Sequence, residues 1–265
     1  MIGALDGSHI HAAPPAKYRG AFQNRKGFVS QNCLFACSFN LQFTYSLTGW
    51  EGSATDARVY QDAREKDLHI EKGKYFLADS GYPHRPELLV PYQNTRYHLA
   101  EWRHAALRYV LLNYTIMDTN DCTNRPNNKE KLFNLRHASA RNVIKRIFGV
   151  LKRHFWILLL APEYSMEIQA CLPVALASIH NFIQIHDSDE AQTVKLDNAN
   201  EHGGVGTGGS DSLDCEDGVE ADGGLHEAQI FHDNIAELMW NDYQQILRDR
   251  ENTEEDPDDV DAEME

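Results

Sequence analysis

The alternation of apolar and polar positions divides the chain into extended runs over its first third and helical runs beyond. Ile2 to Leu5 is apolar and closes on Asp6-Gly7, the pattern of a short buried strand with an acid at its carboxyl end. Phe28 to Leu34 and Leu34 to Leu47, rich in Phe, Val, Thr, Tyr and Cys, predict two strands of a meander with Asn40 near the turn. Gly49-Trp50-Glu51-Gly52-Ser53 interrupts that pattern, and Ser53 or Thr55 is placed to cap a helix over 56–66. Tyr75 to Ala78 is a further short strand, followed by Asp79-Ser80-Gly81-Tyr82-Pro83.

Helical periodicity takes over later. Ser139-Ala140-Arg141 opens a helix whose Val143, Ile144, Ile147, Val150, Leu151 and Phe155 recur at spacings of three and four. Its other side carries Arg141, Lys145, Arg146, Lys152 and Arg153. A second helix, from about Ser165 to His186, is apolar nearly all round and reads as buried. The stretch 103–128 fits neither period and reads as an insertion into a more compact parent. From Asp187 the composition changes: 187–226 is an acidic, Gly-rich linker. An amphipathic helix follows over about 227–248, and 249–265 is an acidic tail expected to be disordered. Residues 1–186 thus form the one domain with material for a core.

Charge sharpens this division. The 265-residue chain has a formal charge of −15, but residues 1–186 carry 22 Lys+Arg against 15 Asp+Glu, and 187–265 carry 3 against 25. The acidity belongs to the tail, and the mildly basic domain is not excluded from a polyanionic partner. Five cysteines, at 33, 37, 122, 171 and 215, show no paired spacing, which argues for a reducing compartment and against a disulfide scaffold. The first residues lack the pattern of a targeting segment, and no apolar run approaches the roughly 18 residues of a membrane span. A secreted or membrane protein is not expected. Met1 stands almost on the first strand, as expected of a remnant of something longer.

Asp6 and Asp79 each follow a short apolar strand, where carboxylates at one sheet edge can converge on Mg²⁺ or Mn²⁺. Both also lie in ordinary turn sequences, Asp-Gly and Asp-Ser-Gly. Asp56 is either a third acid near that site or a first-turn residue favoured by the helix dipole. His9 and His11 face one side of a strand, but no third soft ligand lies nearby, so zinc is not expected. The basic side of the helix 139–155 can follow a phosphate backbone, though most such stripes are solvated faces.

The segments Gly3 to Ile10, Gly52 to Val59, Leu77 to Pro83 and Asn134 to Arg153 together resemble the Harbinger/PIF-type DDE transposase family, which includes transposase-derived nucleases. The resemblance implies an α/β, ribonuclease-H-like fold, a mixed sheet flanked by helices, in which three acids hold two divalent ions. Asp6 and Asp79 match the first two catalytic acids, and Asp56 matches a motif acid near the site. The third acid, a Glu in the family's Arg-x-x-x-Glu-Arg-x-Phe-Gly-x-Leu-Lys pattern, falls on Lys145. Replacing a carboxylate by an ammonium removes a ligand and repels the cation it would face. Glu130 lies 15 positions upstream, about 22 Å along a continuous helix, too far to substitute.

Two further departures accompany this one. The spacing from Asp79 to Lys145, 66 positions, exceeds the family's usual gap. The family usually carries a helix-turn-helix region before the catalytic domain, whereas this sequence starts at the first expected catalytic strand. The resemblance also implies DNA as partner, contacts from Arg146, Lys152 and Arg153, a separate DNA-binding partner protein, no membrane, and a nuclear location, otherwise a cytoplasmic one. The expectation is a transposase-derived endonuclease domain with an impaired site; the alternative is a non-catalytic DNA- or protein-binding module.

Overall fold

The computed structural model describes residues 1–95, 126–187 and 222–254, with side chains in the last stretch from 224 to 249. The insertion read at 103–128 lies outside the described residues up to 125, as do most of the linker and the tail from 255.

The elements in chain order are β1 (Gly3–His11), a 3₁₀ turn (Ala16–Tyr18), β2 (Ser30–Cys37), β3 (Phe43–Glu51), α1 (Asp56–Lys66), β4 (Phe76–Leu77) and β5 (Leu88–Leu89). They continue with α2 (Lys129–His154), a second 3₁₀ turn (Trp156–Leu159), α3 (Met166–His186) and α4 (Asp222–Glu254). The five strands form one mixed sheet in the order β3-β2-β1-β4-β5. β2 runs antiparallel to both of its neighbours, β1 and β3, while β4 and β5 run parallel to β1. This is the α/β, ribonuclease-H-like arrangement that the resemblance implied.

The chain falls into two compact units, 1–90 with 139–225, and 91–138 with 226–265. In the first, β2 lies between β1 and β3 and is buried along its whole length, which explains its lack of alternation. Leu34 and Ala36 join Leu5, Val59, Tyr60 and Ala63 in the core on the α1 side. Phe35 meets Phe43 at 5.1 Å and Phe148 at 5.5 Å between ring centroids on the other. α1 spans the predicted residues, and Thr55 caps it by accepting from the Arg58 N–H.

α3 is fastened to the sheet by side chains that stand in for a neighbouring strand. Asn181 accepts from the Phe43 N–H at 2.8 Å and donates to the Phe43 carbonyl at 2.7 Å, pairing the edge strand β3. Pro173 lies inside the helix and has no N–H for the Gln169 carbonyl. Gln31 Nε2 donates to that carbonyl instead, at 2.8 Å. By length and composition α3 is apolar enough to cross a membrane, contrary to the sequence reading that no run comes near a span. Its contacts with β3 identify it as a helix of the fold.

Two helices are longer than their periodicity predicted. α2 begins at Lys129, not Ser139, with Asn128 Oδ1 accepting from the Lys131 N–H. The early turns were obscured because Asn134 and His137 interrupt the apolar stripe. In the second unit Asn134 pairs with the backbone of Tyr92, accepting from its N–H at 2.8 Å and donating to its carbonyl at 3.0 Å. His137 stacks on Phe133. α4 extends past both predicted ends, to Glu254, so the tail read as disordered from 249 begins in helix. His232 of α4 stacks on Tyr92 at 4.0 Å, and the Tyr92 hydroxyl donates to Asp233 at 2.6 Å.

Candidate active site

β1 presents alternate side chains to opposite faces of the sheet. Asp6 and Ser8 face α2, whereas Gly7 faces the start of α1. Asp79 follows β4, which pairs in parallel with β1 through Gly3↔Phe76 and Ala4↔Leu77. Asp6 stands inside β1, which continues to His11 and does not end at the acid as its apolar run suggested. The shorter β4 stops at Leu77, so this register sets Asp79 just past its end near Asp6, and Arg141 of α2 spans the two. Its Nη1 lies 3.0 Å from Asp6 Oδ2 and its Nη2 3.3 Å from Asp79 Oδ1. The Asp6 and Arg141 side chains are 14% and 7% exposed, while that of Asp79 is 46% exposed.

Burial raises the Asp6 carboxyl from 3.8 to about 6. Arg141 pulls it back down, Asp79 and Asp56 push it up by repulsion, and Lys145 lowers it slightly. Asp56 stands on the α1 side. Its carboxylate lies against the Cα of Gly7, and a Cβ at residue 7 would land on it. Asn32 Nδ2 donates to Asp56 Oδ1 at 2.9 Å and to the Ala54 carbonyl at 3.0 Å. Tyr82, buried among these groups, is pushed well above its ordinary pKa, first by burial and then by the charges of Asp56, Asp6 and Asp79.

The basic stripe of the sequence divides into two populations. Lys145, Arg146 and Arg153 are exposed on α2. Lys152 turns inward, donating to Ser8 Oγ at 3.0 Å and to the His9 carbonyl at 3.2 Å, and burial lowers its pKa. That ammonium is not presented to a phosphate backbone in this arrangement. Arg141, which the sequence places on the basic side of the helix, is the residue that ties the carboxylates together. A signal for it existed, since Ile144 and Phe148, three and seven positions on, place Arg141 on the apolar side of the helix. Gly7 and Asn32 carried no such periodic signal.

Among the described residues no group of three or more His, Cys, Asp or Glu side chains is gathered to hold a metal ion. Asp6 Oδ1 accepts from the Gly7 N–H at 3.0 Å and Asp79 Oδ1 from the Ser80 N–H at 2.9 Å, while Arg141 takes one oxygen of each. Three carboxylates and two nearby cations, Arg141 and Lys145, do not fit the ligand set of a two-ion centre.

A family model described as DDE superfamily endonuclease matches residues 5–185. The chain belongs to that family. The Rattus norvegicus protein named "Putative nuclease HARBI1" is 30% identical over 112 residues, which cover 38% of this chain and 32% of that protein. The chain thus matches about a third of the length of that relative. No solved structure matches the chain. Endonucleases of this superfamily generally depend on a divalent cation.

Proposed function

We propose that this DDE endonuclease domain keeps the nuclease fold but has lost DNA strand cleavage. The ancestral reaction is divalent-metal-dependent hydrolysis and strand transfer at DNA phosphodiester bonds. The observation that carries the reading is Lys145, an ammonium close enough to act on Asp6, in place of the third acid. The Arg141 fork across Asp6 and Asp79 stands on a residue that the family's pattern shares. A carboxylate at position 145 would add a ligand and remove a repelling charge. The ammonium leaves Asp6 and Asp79 to hold Mg²⁺ or Mn²⁺ weakly, in competition with an internal cation. DNA is the substrate class, a nuclear location follows from the relationship to the nuclease, and a separate DNA-binding protein belongs to the same proposal.

The test is nicking of supercoiled plasmid with Mg²⁺ or Mn²⁺ by this chain and its Lys145→Glu variant. The reading expects cleavage from Lys145→Glu alone and its loss on adding Asp79→Ala. Asp79-dependent cutting by the unaltered chain overturns it. A second reading, a non-catalytic DNA-binding module, is favoured by the exposure of Lys145, Arg146 and Arg153 on one helix. Salt-dependent DNA binding indifferent to Asp6→Ala and Asp79→Ala would support that alternative.

A further inference from the structure

α3 has two largely apolar faces, and the sheet covers one. Gln169, Pro173, Ala177 and His180 are buried against the rest of the first unit. On the opposite side Ile168, Cys171, Ala175, Ser178, Phe182 and Ile185 are exposed. Phe182 is 63% exposed and Ile185 61%. Their successive spacings are three, four, three, four and three, the a/d alternation of a coiled-coil seam. At its amino end Glu167, Ile168, Cys171, Leu172 and Ala175 line a shallow hollow of about 250 Å³. An outward apolar row of this length is unusual for a helix whose other face already serves the core.

We infer that this seam pairs with a second copy of the chain, α3 against α3 and antiparallel. The row is self-complementary in that orientation, as a two-fold interface requires. Each a position meets a d position: Ile168 opposes the partner's Ile185, Cys171 the partner's Phe182, and Ala175 the partner's Ser178. Small side chains thus lie at the two-fold axis, where the backbones approach, and large ones lie at the ends. Charge selects the orientation. Glu167 is the helix's one carboxylate and stands in its first turn, with His186 in its last. A parallel pair would set the two Glu167 side chains level with one another. The antiparallel pair carries Glu167 to the level of the partner's His186 and opposes the helix dipoles. The exposed side chains offer on the order of 500 Å² per copy, so about 1,000 Å² in total, the lower end for a specific interface. A dimer in the micromolar range suits that area.

Sedimentation equilibrium of the full chain under reducing conditions tests this. The expected result is a monomer–dimer equilibrium at micromolar concentration. Phe182→Glu and Ile185→Glu each weaken it at least tenfold without changing the circular dichroism, because both side chains face solvent. Under mild oxidation the Phe182→Cys variant crosslinks covalently through native Cys171, and adding Cys171→Ser abolishes the crosslink. A chain that stays monomeric to high micromolar concentration overturns the inference, whatever else then covers the seam. So does a dimer insensitive to both Glu substitutions, or a crosslink that survives Cys171→Ser, which would mean parallel pairing.

Discussion

Arg141 of α2 and Asp6 of β1 form a buried ion pair, Nη1 to Oδ2 3.0 Å, that joins a late helix to the first strand. The same guanidinium reaches Asp79 with its other nitrogen, a two-pronged geometry that lysine cannot reproduce. Removing one partner of such a pair leaves a buried charge without compensation. Arg141→Met is therefore expected to cost about 3 kcal/mol in urea unfolding, with Arg141→Lys recovering less than half. Mg²⁺ should leave the melting temperature of the unaltered chain nearly unchanged, raise that of Lys145→Glu, and raise that of Arg141→Met/Lys145→Glu further. Equal stabilisation of the two variants would show that Arg141 does not compete with the ion.

The Asp6 carboxyl, raised to about 6 from 3.8, makes stability depend on pH in a definite direction. Between about pH 4 and 6 the folded protein holds a proton that the unfolded chain has released. This contribution to stability is thus complete below 3.8 and is lost as pH rises through about 6. Carboxyl carbon NMR should show Asp6 titrating near 6. Arg141→Met should move that midpoint further up and Asp79→Asn should move it down, following the charges that act on the group. An Asp6 midpoint near 4 would contradict this account.

Gly7 is required by the carboxylate that lies on it. A Cβ at this position collides with Asp56, so Gly7→Ala should destabilise by about 1–3 kcal/mol, as overpacking does. In an Asp56→Ala background the same change should cost well under 1 kcal/mol, because the colliding group is gone. A double-mutant cycle by thermal or urea unfolding measures the coupling. Additive costs would show that the Gly7 backbone, not the contact, is responsible.

Exposure of the α2 cations separates their roles in DNA binding. Lys145 and Arg146 are exposed, whereas the Lys152 ammonium is held by Ser8 and His9. If the domain binds duplex DNA along α2, Lys145→Ala and Arg146→Ala should each reduce the slope of log K against log salt by about 1. Lys152→Met should leave the slope unchanged. A reduced slope in Lys152→Met would mean that this side chain turns outward on binding.

What the sequence disclosed follows the range of each interaction. α1 was legible to the residue because its signals are local: a capping Thr55 and a first-turn Asp56. The apolar runs before Asp6 and Asp79 drew attention to both positions, but the first run suggested a strand ending at Asp6, whereas β1 continues to His11. The inward turn of Lys152 was not legible because the polarity of a side chain does not tell whether Ser8, 144 positions away, will accept a hydrogen bond from it. Arg141 was hidden for the same reason, its partner lying 135 positions earlier. The start of α2 was missed because Asn134 and His137 serve partners in the second unit, and periodicity counts them as breaks.

The Pro173 position gives a prediction that runs against ordinary expectation. Proline inside a helix leaves the carbonyl four residues earlier without its donor, and here Gln31 Nε2 supplies one to Gln169 at 2.8 Å in a buried setting. Gln31→Leu should orphan that carbonyl and cost roughly 1–3 kcal/mol. Pro173→Ala restores a backbone N–H at residue 173, so in the Gln31→Leu background it should recover much of the loss. In the unaltered chain Pro173→Ala should gain little, because the Gln169 carbonyl is already satisfied. Gln31 also accepts from the Gly49 N–H at 3.2 Å, so the recovery should stop short of full stability. Equal gains from Pro173→Ala in both backgrounds, measured by urea unfolding, would show that Gln31 does not compensate for the proline.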